Sequence, residues 1–510
     1  MSYLIGLDVG TTSAKTVLLD EQGRVVFVTA PAYSFRTPQP LWAESDPADW
    51  WAAAQRALQD LFAQSGVKPR EIAGVGLTGQ MHGLVLLDAR GEVLRPCIMW
   101  NDQRTAPQCA ELTRRVGRAK VLQLTGNPVL PGFTAPKILW VAQNEPEVFR
   151  RVAKILLPKD YLRYRLSGEF FTDVSDASGT SLLDVAKRKW SAEMLAAAGV
   201  KRAWLPETTE SPVVSAKISA AAAKLTGLRA GTPVVAGAGD QAAGAVGCGI
   251  VKPGVLSCTL GTSGVVFAHA EKYRPDPRGR LHAFCHAVPG QWHLMGVQLS
   301  SAGSFQWFKN ALGGEETARE KAGAGNAYDL LTAAAAKVPA GSEGLLFLPY
   351  LSGERTPHPD PLARGVFFGL TLRHTKAHLA RAVLEGVTYG LRDSLELMRG
   401  LGIAPTEIIA SGGGARSPLW RQLLADNFET PILTVSATEG SAYGAALLAG
   451  VGAKIWPTVE DACTATVKIT GRTVPGRNAL VYRDYYLRFR ALYPALKDEF
   501  AALAETVAKH

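Results

Sequence analysis

Leu4-Ile5-Gly6-Leu7-Asp8-Val9-Gly10-Thr11-Thr12-Ser13 opens the chain and runs on through Lys15-Thr16-Val17-Leu18-Leu19-Asp20. An apolar run meets an aspartate, a Gly-Thr-Thr turn reverses the backbone, and a second strand-like run follows. The pattern predicts a β-hairpin, and Gly-Thr turns are ordinary hairpin chemistry. The same turn also offers successive amides and hydroxyls with no bulky side chain in the way, a concavity that holds phosphate oxygens. Gly10, Thr11, Thr12 and Lys15 are therefore candidates for phosphate contact. Asp8 repels phosphate but suits the Mg²⁺ that accompanies a nucleotide, which takes carboxylates and water.

A second copy raises the weight of the first. Leu256-Ser257-Cys258-Thr259-Leu260-Gly261-Thr262-Ser263-Gly264-Val265-Val266-Phe267 repeats strand, Gly-Thr-Ser turn and strand. Aligning Gly10 with Gly261 sets Thr259 opposite Asp8, so only the first turn has a carboxylate. One nucleotide between two related halves, with a single metal side, fits that asymmetry.

Bulk properties narrow the class. The 510 residues are too many for one core. They are 47% hydrophobic and 20% charged, and the 51 glycines come without any low-complexity tract. No apolar run reaches the length of a membrane span, and no basic-then-apolar leader precedes Asp8. Six scattered cysteines without a CxxC pair point to a reducing, cytoplasmic setting. The net charge of +10 is spread out, without the stripe or module that nucleic-acid binding needs.

Along the chain, Asp46-Pro47 reads as the cap and first position of a helix reaching about Gln64. Ile72–Leu77 is a strand that breaks at Thr78-Gly79-Gln80-Met81-His82-Gly83. Two glycines bracketing polar residues between buried strands make a turn open to a ligand, although a lone histidine is more often structural. Val93–Met99 reads as a strand leading into Trp100-Asn101-Asp102-Gln103-Arg104. That cluster is either a surface loop with a weak Asp–Arg pair or part of a sugar pocket. Residues 106–230 read as mainly helical. Thr232–Gly237 is a buried strand that empties into Gly239-Asp240-Gln241 and a helix made almost wholly of Gly and Ala. Asp240 is either a helix cap or an ionised carboxylate held at a helix N-terminus. Further on, Ser352-Gly353-Glu354-Arg355-Thr356-Pro357 is a loop and Ala377–Met398 a long helix. A strand at 408–410 then meets Gly412-Gly413-Gly414-Ala415-Arg416-Ser417, where bare backbone suits a base or ribose. The GxGxxG spacing of a dinucleotide fold is absent.

These parts assemble into two α/β domains, 1–250 and 251–510, facing each other across a cleft. The two hairpin turns, including Gly261, Thr262 and Ser263, would hold the phosphates, and Gly412, Gly413, Gly414 and Ser417 the adenosine. Asp8 and Asp240 would stand on the metal side. Gln80, Met81, His82, Trp100, Asp102 and Gln241 would hold an acceptor whose hydroxyl gives its proton to Asp240.

At the same residues the chain resembles the FGGY carbohydrate kinases over essentially its whole length. The resemblance also takes in Gly132-Phe133-Thr134-Ala135-Pro136-Lys137-Ile138-Leu139-Trp140 and Phe347-Leu348-Pro349-Tyr350-Leu351-Ser352-Gly353-Glu354-Arg355-Thr356-Pro357-His358. It implies two actin-like ATPase (ribonuclease H-like) domains of the sugar kinase/Hsp70/actin superfamily around a deep cleft. It also implies ATP and Mg²⁺, with Asp240 as general base, Asp8 on metal and phosphate, and Met81 and His82 on the sugar. Gln-Met-His-Gly and Trp-Asn-Asp point to D-xylulose, phosphorylated at its 5-hydroxyl. Gln241 stands where family members acting on that sugar usually have Asn, which keeps L-ribulose and glycerol as alternatives. No nucleic acid or membrane partner is implied, and a homodimer is left open.

Overall fold

The computed structural model describes residues 2–436 and 439–509. The opening stretch forms β1 (Tyr3–Val9) and β2 (Ala14–Asp20), an antiparallel hairpin with Val9 opposite Ala14. β3 (Val25–Thr29), β4 (Ile72–Gly79), β5 (Val214–Lys217), β6 (Pro233–Val235) and the short β7 (Ala238–Gly239) complete a sheet ordered β5-β6-β4-β1-β2-β3, with β7 also on β4. The second sheet is built from β8 (Val255–Leu260), β9 (Gly264–Ala270), β10 (His282–Cys285), β11 (Trp292–Gln298), β12 (Glu407–Ser411), β13 (Ile432–Val435) and β14 (Ile469–Thr473). Its order is β10-β11-β9-β8-β12-β13-β14.

The sheets share one plan. In each, an antiparallel hairpin is flanked on one side by another antiparallel strand and on the other by two successive parallel ones. The duplication seen in the hairpins therefore extends through both sheets.

Helix α1 (Pro47–Ser65) starts as its sequence dictates, the Asp46 carboxylate accepting from the Ala48 amide. It buries Trp50, Ala54, Leu58 and Leu61 against the first sheet. Further on come α2 (Thr134–Asn144), α3 (Asp240–Gly247), α4 (Lys376–Gly400), α5 (Pro418–Phe428), α6 (Gly440–Gly452) and α7 (Ala479–Lys509).

The small-residue helices α3 and α6 cross between the halves. Ala442 and Ala446 of α6 share a core with Leu4 and Val17 of the first sheet. Ala245 of α3 packs with Phe267, Ile409 and Leu433 of the second. The crossing works because both helices lack bulk. A Cβ on Gly6 would sit 1.8 Å from the Ala442 carbonyl oxygen, and one on Gly444 1.8 Å from that of Ala243. No real Cβ survives such a distance.

One expectation gives way. Val93–Met99 pairs as a strand only at Cys97–Ile98, since Pro96 has no amide to donate to a ladder. Residues 106–230 are mainly helical, as expected, with short strands between the helices, among them β5, which pairs antiparallel with β6 at the edge of the main sheet.

Candidate active site

Both turns form. Gly10 N donates to Ser13 O at 3.0 Å, and Gly261 N donates to Ser263 O at 3.1 Å. Four residues lie between the last paired positions of the first hairpin and three in the second. Thr12, Thr262 and Ser263 are exposed, and Gly10, Thr11 and Gly261 partly so. The Gln80 amide donates to Gly10 O at 3.0 Å, and the Trp100 indole donates to Thr11 Oγ1 at 3.1 Å. Two candidate acceptor contacts thus brace the first turn. Lys15 spends its ammonium on Glu439 at 3.2 Å.

Asp8 sits two residues before the turn. Its Oδ2 accepts from Ser441 Oγ at 2.5 Å, while its Oδ1 is buried without a partner among the described residues. Burial raises its pKa, with Ser441 and Lys15 pulling the other way. An unpaired carboxylate oxygen beside a second carboxylate is the donor set Mg²⁺ takes together with waters and phosphate. The residues fit that ion.

That second carboxylate is Asp240. Gly239 occupies the cap position of α3, so Asp240 is the first helical residue, with Gln241 hydrogen-bonding its carboxylate. Gly239 N donates to Ser175 Oγ at 3.1 Å, and Ser175 Oγ donates to Asp173 Oδ2 at 2.5 Å. Asp173 belongs to a fully buried cluster in which Lys159 Nζ lies 2.6 Å from Asp160, 3.0 Å from Asp173 and 3.5 Å from Asp176. Asp240 is thus carried on a helix start anchored to a paired ionic core. Burial pushes its pKa up to about 7, the Asp8 carboxylate adds to the rise, and Gln241 opposes it.

The Gln80-Met81-His82 turn approaches α3 directly. A Cβ on Gly239 would touch Met81 Cγ and Sδ at 3.0 Å. His82 has φ of 71°, a left-handed conformation that costs a bulky residue energy. Several contacts hold it there. Thr134 Oγ1 and Lys137 Nζ donate to its carbonyl at 3.1 and 3.0 Å, and its ring stacks on Phe133 at 4.4 Å. Nδ1 donates to Gly179 O at 2.7 Å, which makes Nε2 the acceptor nitrogen. Burial drives the imidazole pKa down to about 3, so the ring is neutral and Nε2 can take a hydroxyl proton in a hydrogen bond.

Lys137, given no role by its spacing, is one of the ties. It is fully buried, donates to the carbonyls of His82 and Gly132, and burial lowers its pKa to about 7.

Asp102 is a correction. It is fully buried, and its oxygens accept from the Ala43 and Arg104 amides and from the Arg104 guanidinium, which stacks 3.5 Å from the Trp42 ring. Neither a surface pair nor a sugar ligand, it buttresses the loop that carries Trp100, itself 41% exposed.

Two cavities lie along the cleft. One of about 600 Å³ is lined by Gly261, Thr262, Tyr328, Gly413, Gly414 and Ser417. The other, of about 620 Å³, is lined by Asp240, Gln241, Thr259, Gly412, Gly413 and Ser441. They meet at Gly413 and Arg416. The Ser417 hydroxyl also caps α5 by accepting from Trp420 N at 3.3 Å. Sequence reasoning missed Ser441, Tyr328 and the Asn326 beside it. Ser441 had one available signal, since it opens the second Gly/Ala-rich helix as Asp240 opens the first.

The model of the FGGY family of carbohydrate kinases, N-terminal domain, matches residues 3–247, and that of the C-terminal domain residues 256–453. The chain belongs to the FGGY family of carbohydrate kinases. Among FGGY relatives, the xylulose kinase of Escherichia coli K12 is 47% identical over 450 residues, covering 88% of this chain and 90% of the relative. The xylulose kinase of Bacillus subtilis 168 is 37% identical over 504 residues, 99% of each. The crystal structure of the xylulose kinase from Rhodospirillum rubrum superposes with a TM-score of 0.91 at 34% identity, covering 98% of this chain and all of that one. The two-domain α/β architecture expected from the opening hairpins is the FGGY kinase fold. Among the described residues no helix is long and apolar enough to cross a membrane.

Proposed function

We propose that this FGGY kinase transfers the terminal phosphoryl group of ATP to the 5-hydroxyl of D-xylulose, giving D-xylulose 5-phosphate and ADP in the cytoplasm. The observation that carries the chemistry is Asp240, a buried carboxylate at the first position of α3 that lines the cavity running on to Gly413. The choice of sugar is supported by the similarity to the xylulose kinases of E. coli and B. subtilis.

In this reading residues 1–250 supply the acceptor site and base, and residues 251–510 the nucleotide site. Adenosine lies along Gly413, Gly414 and Ser417, and the phosphates follow the two Gly-Thr turns. His82 Nε2 accepts a sugar hydroxyl, and Met81 packs against the carbon skeleton. Asp240 removes the proton from the attacking hydroxyl as the new P–O bond forms and ADP leaves. Asp8, with Asp240 opposite, would hold Mg²⁺, which would neutralise charge on the phosphate oxygens. Transfer of this kind needs positioning and charge neutralisation more than covalent chemistry. A carboxylate of modestly raised basicity, in a site that excludes water, is enough.

The test is a panel of acceptors (D-xylulose, L-ribulose, glycerol) with ADP release as readout. D-Xylulose is expected to give the highest kcat/KM, and glycerol or L-ribulose ahead of it overturns the choice of sugar. Gln241, the residue after the base, is the specific feature that favours a ketose or polyol other than D-xylulose. Asp240 remains the base for either substrate.

A further inference from the structure

Arg355 enters the acceptor region from the second half of the chain. It lies in the segment joining the strand Leu346–Leu348 to the strand Val366–Phe368. Its neighbours fasten that segment to the end of β11. Glu354 Oε1 accepts from Leu299 N at 2.9 Å and from the Arg355 amide at 2.7 Å. Thr356 N donates to Val297 O at 3.1 Å, Val297 N donates to Thr356 Oγ1 at 3.2 Å, and Thr356 Oγ1 donates to Arg280 O at 2.9 Å. Backbone is thus fixed on both sides of Arg355. Val297 in turn packs with Met81, Phe133, Phe284 and Met295, the apolar floor under the His82 turn.

The guanidinium itself is unspent. Among the described residues no hydrogen bond or ion pair reaches Nε or either Nη, although the side chain is partly buried and its charge is felt by both His82 and His282. A guanidinium with no protein partner is free to offer its planar fork of donors to the oxygen atoms of a ligand. The segment carrying Arg355 thus lies against β11, beside the residues that pack under Met81.

We propose that Arg355 is a substrate-binding residue contributed by the second domain, reading the oxygen atoms at the end of the sugar opposite the hydroxyl that Asp240 deprotonates. The inference rests on the sugar-kinase reading above. For a 2-ketose phosphorylated at C5 those atoms are the C1 hydroxyl and the C2 carbonyl, two vicinal oxygens that match the planar fork of a guanidinium. Because its loop is fastened to β11, Arg355 couples recognition of the sugar to the nucleotide-binding half.

The experiment compares wild type, Arg355→Met and Arg355→Lys with D-xylulose and with 1-deoxy-D-xylulose, which lacks the C1 oxygen. Thermal midpoints check the fold, and the Lys variant replaces the Met variant if the latter does not fold. Arg355→Met is expected to raise KM for D-xylulose roughly 10- to 100-fold, the cost of a hydrogen bond to a charged group. KM for ATP should stay within about 2-fold, with Arg355→Lys intermediate. With 1-deoxy-D-xylulose the penalty should shrink, since one partner oxygen is already gone. An unchanged KM for D-xylulose, an equal penalty with both sugars, or a loss confined to kcat overturns the proposal. If wild type ignores D-xylulose, the choice of sugar has failed separately. The variants are then compared on the acceptor that wild type does use, and an unchanged KM there overturns the role of Arg355.

Discussion

In the first half, the parallel strand beside the opening hairpin ends in Thr78-Gly79 and empties into Gln80, Met81 and His82. In the second half its counterpart ends at Ser411 and empties into three glycines. The strands carry the same pairing, but the turns carry opposite equipment. Side chains that pack on carbon or exchange hydrogen bonds with hydroxyls crowd the first. The second is bare backbone that a flat base or a phosphate can approach closely. The hairpins differ likewise, with Asp8 in one where the other has Thr259, which bonds Ser411 at 3.0 Å. Repeated topology puts two turns at the mouth of one cleft, and in the function proposed above the few residues in those turns assign one to the acceptor and the other to the nucleotide.

If that division holds, the largest effect belongs to the base. Asp240→Asn keeps shape and polarity but removes the proton acceptor, so kcat should fall between about 10²- and 10⁴-fold. ATP binding, housed along the other half, should change little by calorimetry. Wild-type-like turnover would remove Asp240 from the mechanism. Asp8→Asn comes next. It weakens the grip on Mg²⁺ and keeps the Ser441 bond available, so activity at limiting Mg²⁺ should drop about 10- to 100-fold and recover partly at high Mg²⁺. A metal titration that superposes on wild type would break the asymmetry between the hairpins. Thr259→Asp puts a carboxylate where the second hairpin has none. It should raise KM for ATP about 10-fold through repulsion of phosphate, leaving KM for the sugar alone.

Much of this was legible because it is local. Strand alternation, Gly-Thr turns, the Asp46-Pro47 helix start and the glycine run before Pro418 each state their conformation within a few residues. What was not legible depends on partners far along the chain. Asp102 and Arg104, two residues apart, read as a weak surface pair until Trp42 and Ala43 close over them. Lys137 has no visible task until the left-handed His82 presents its carbonyl. Ser441 meets Asp8 across 433 positions. The weakness of the Gly/Ala helices was visible as composition. That they cross between the halves follows only from Gly6 of β1 lying against a carbonyl of α6, and Gly444 of α6 against a carbonyl of α3.

The smallest effect tests the electrostatic coupling between the two carboxylates. Asp240 acts as a base only when ionised, so kcat/KM should rise with pH along a limb near pH 7 and then level off, as the raised pKa requires. Two causes lift that pKa, burial first and the Asp8 charge second, and they separate by substitution. Asp8→Asn removes the like charge and leaves burial in place, so the limb should move down by about one pH unit or less and stop well above an ordinary aspartate. The residual activity of the variant is enough to trace it. A limb that stays put means the carboxylates do not sense each other. A limb that moves up means Asp8 was stabilising the ionised base through a bound cation, and the metal would then belong to both residues even before nucleotide arrives.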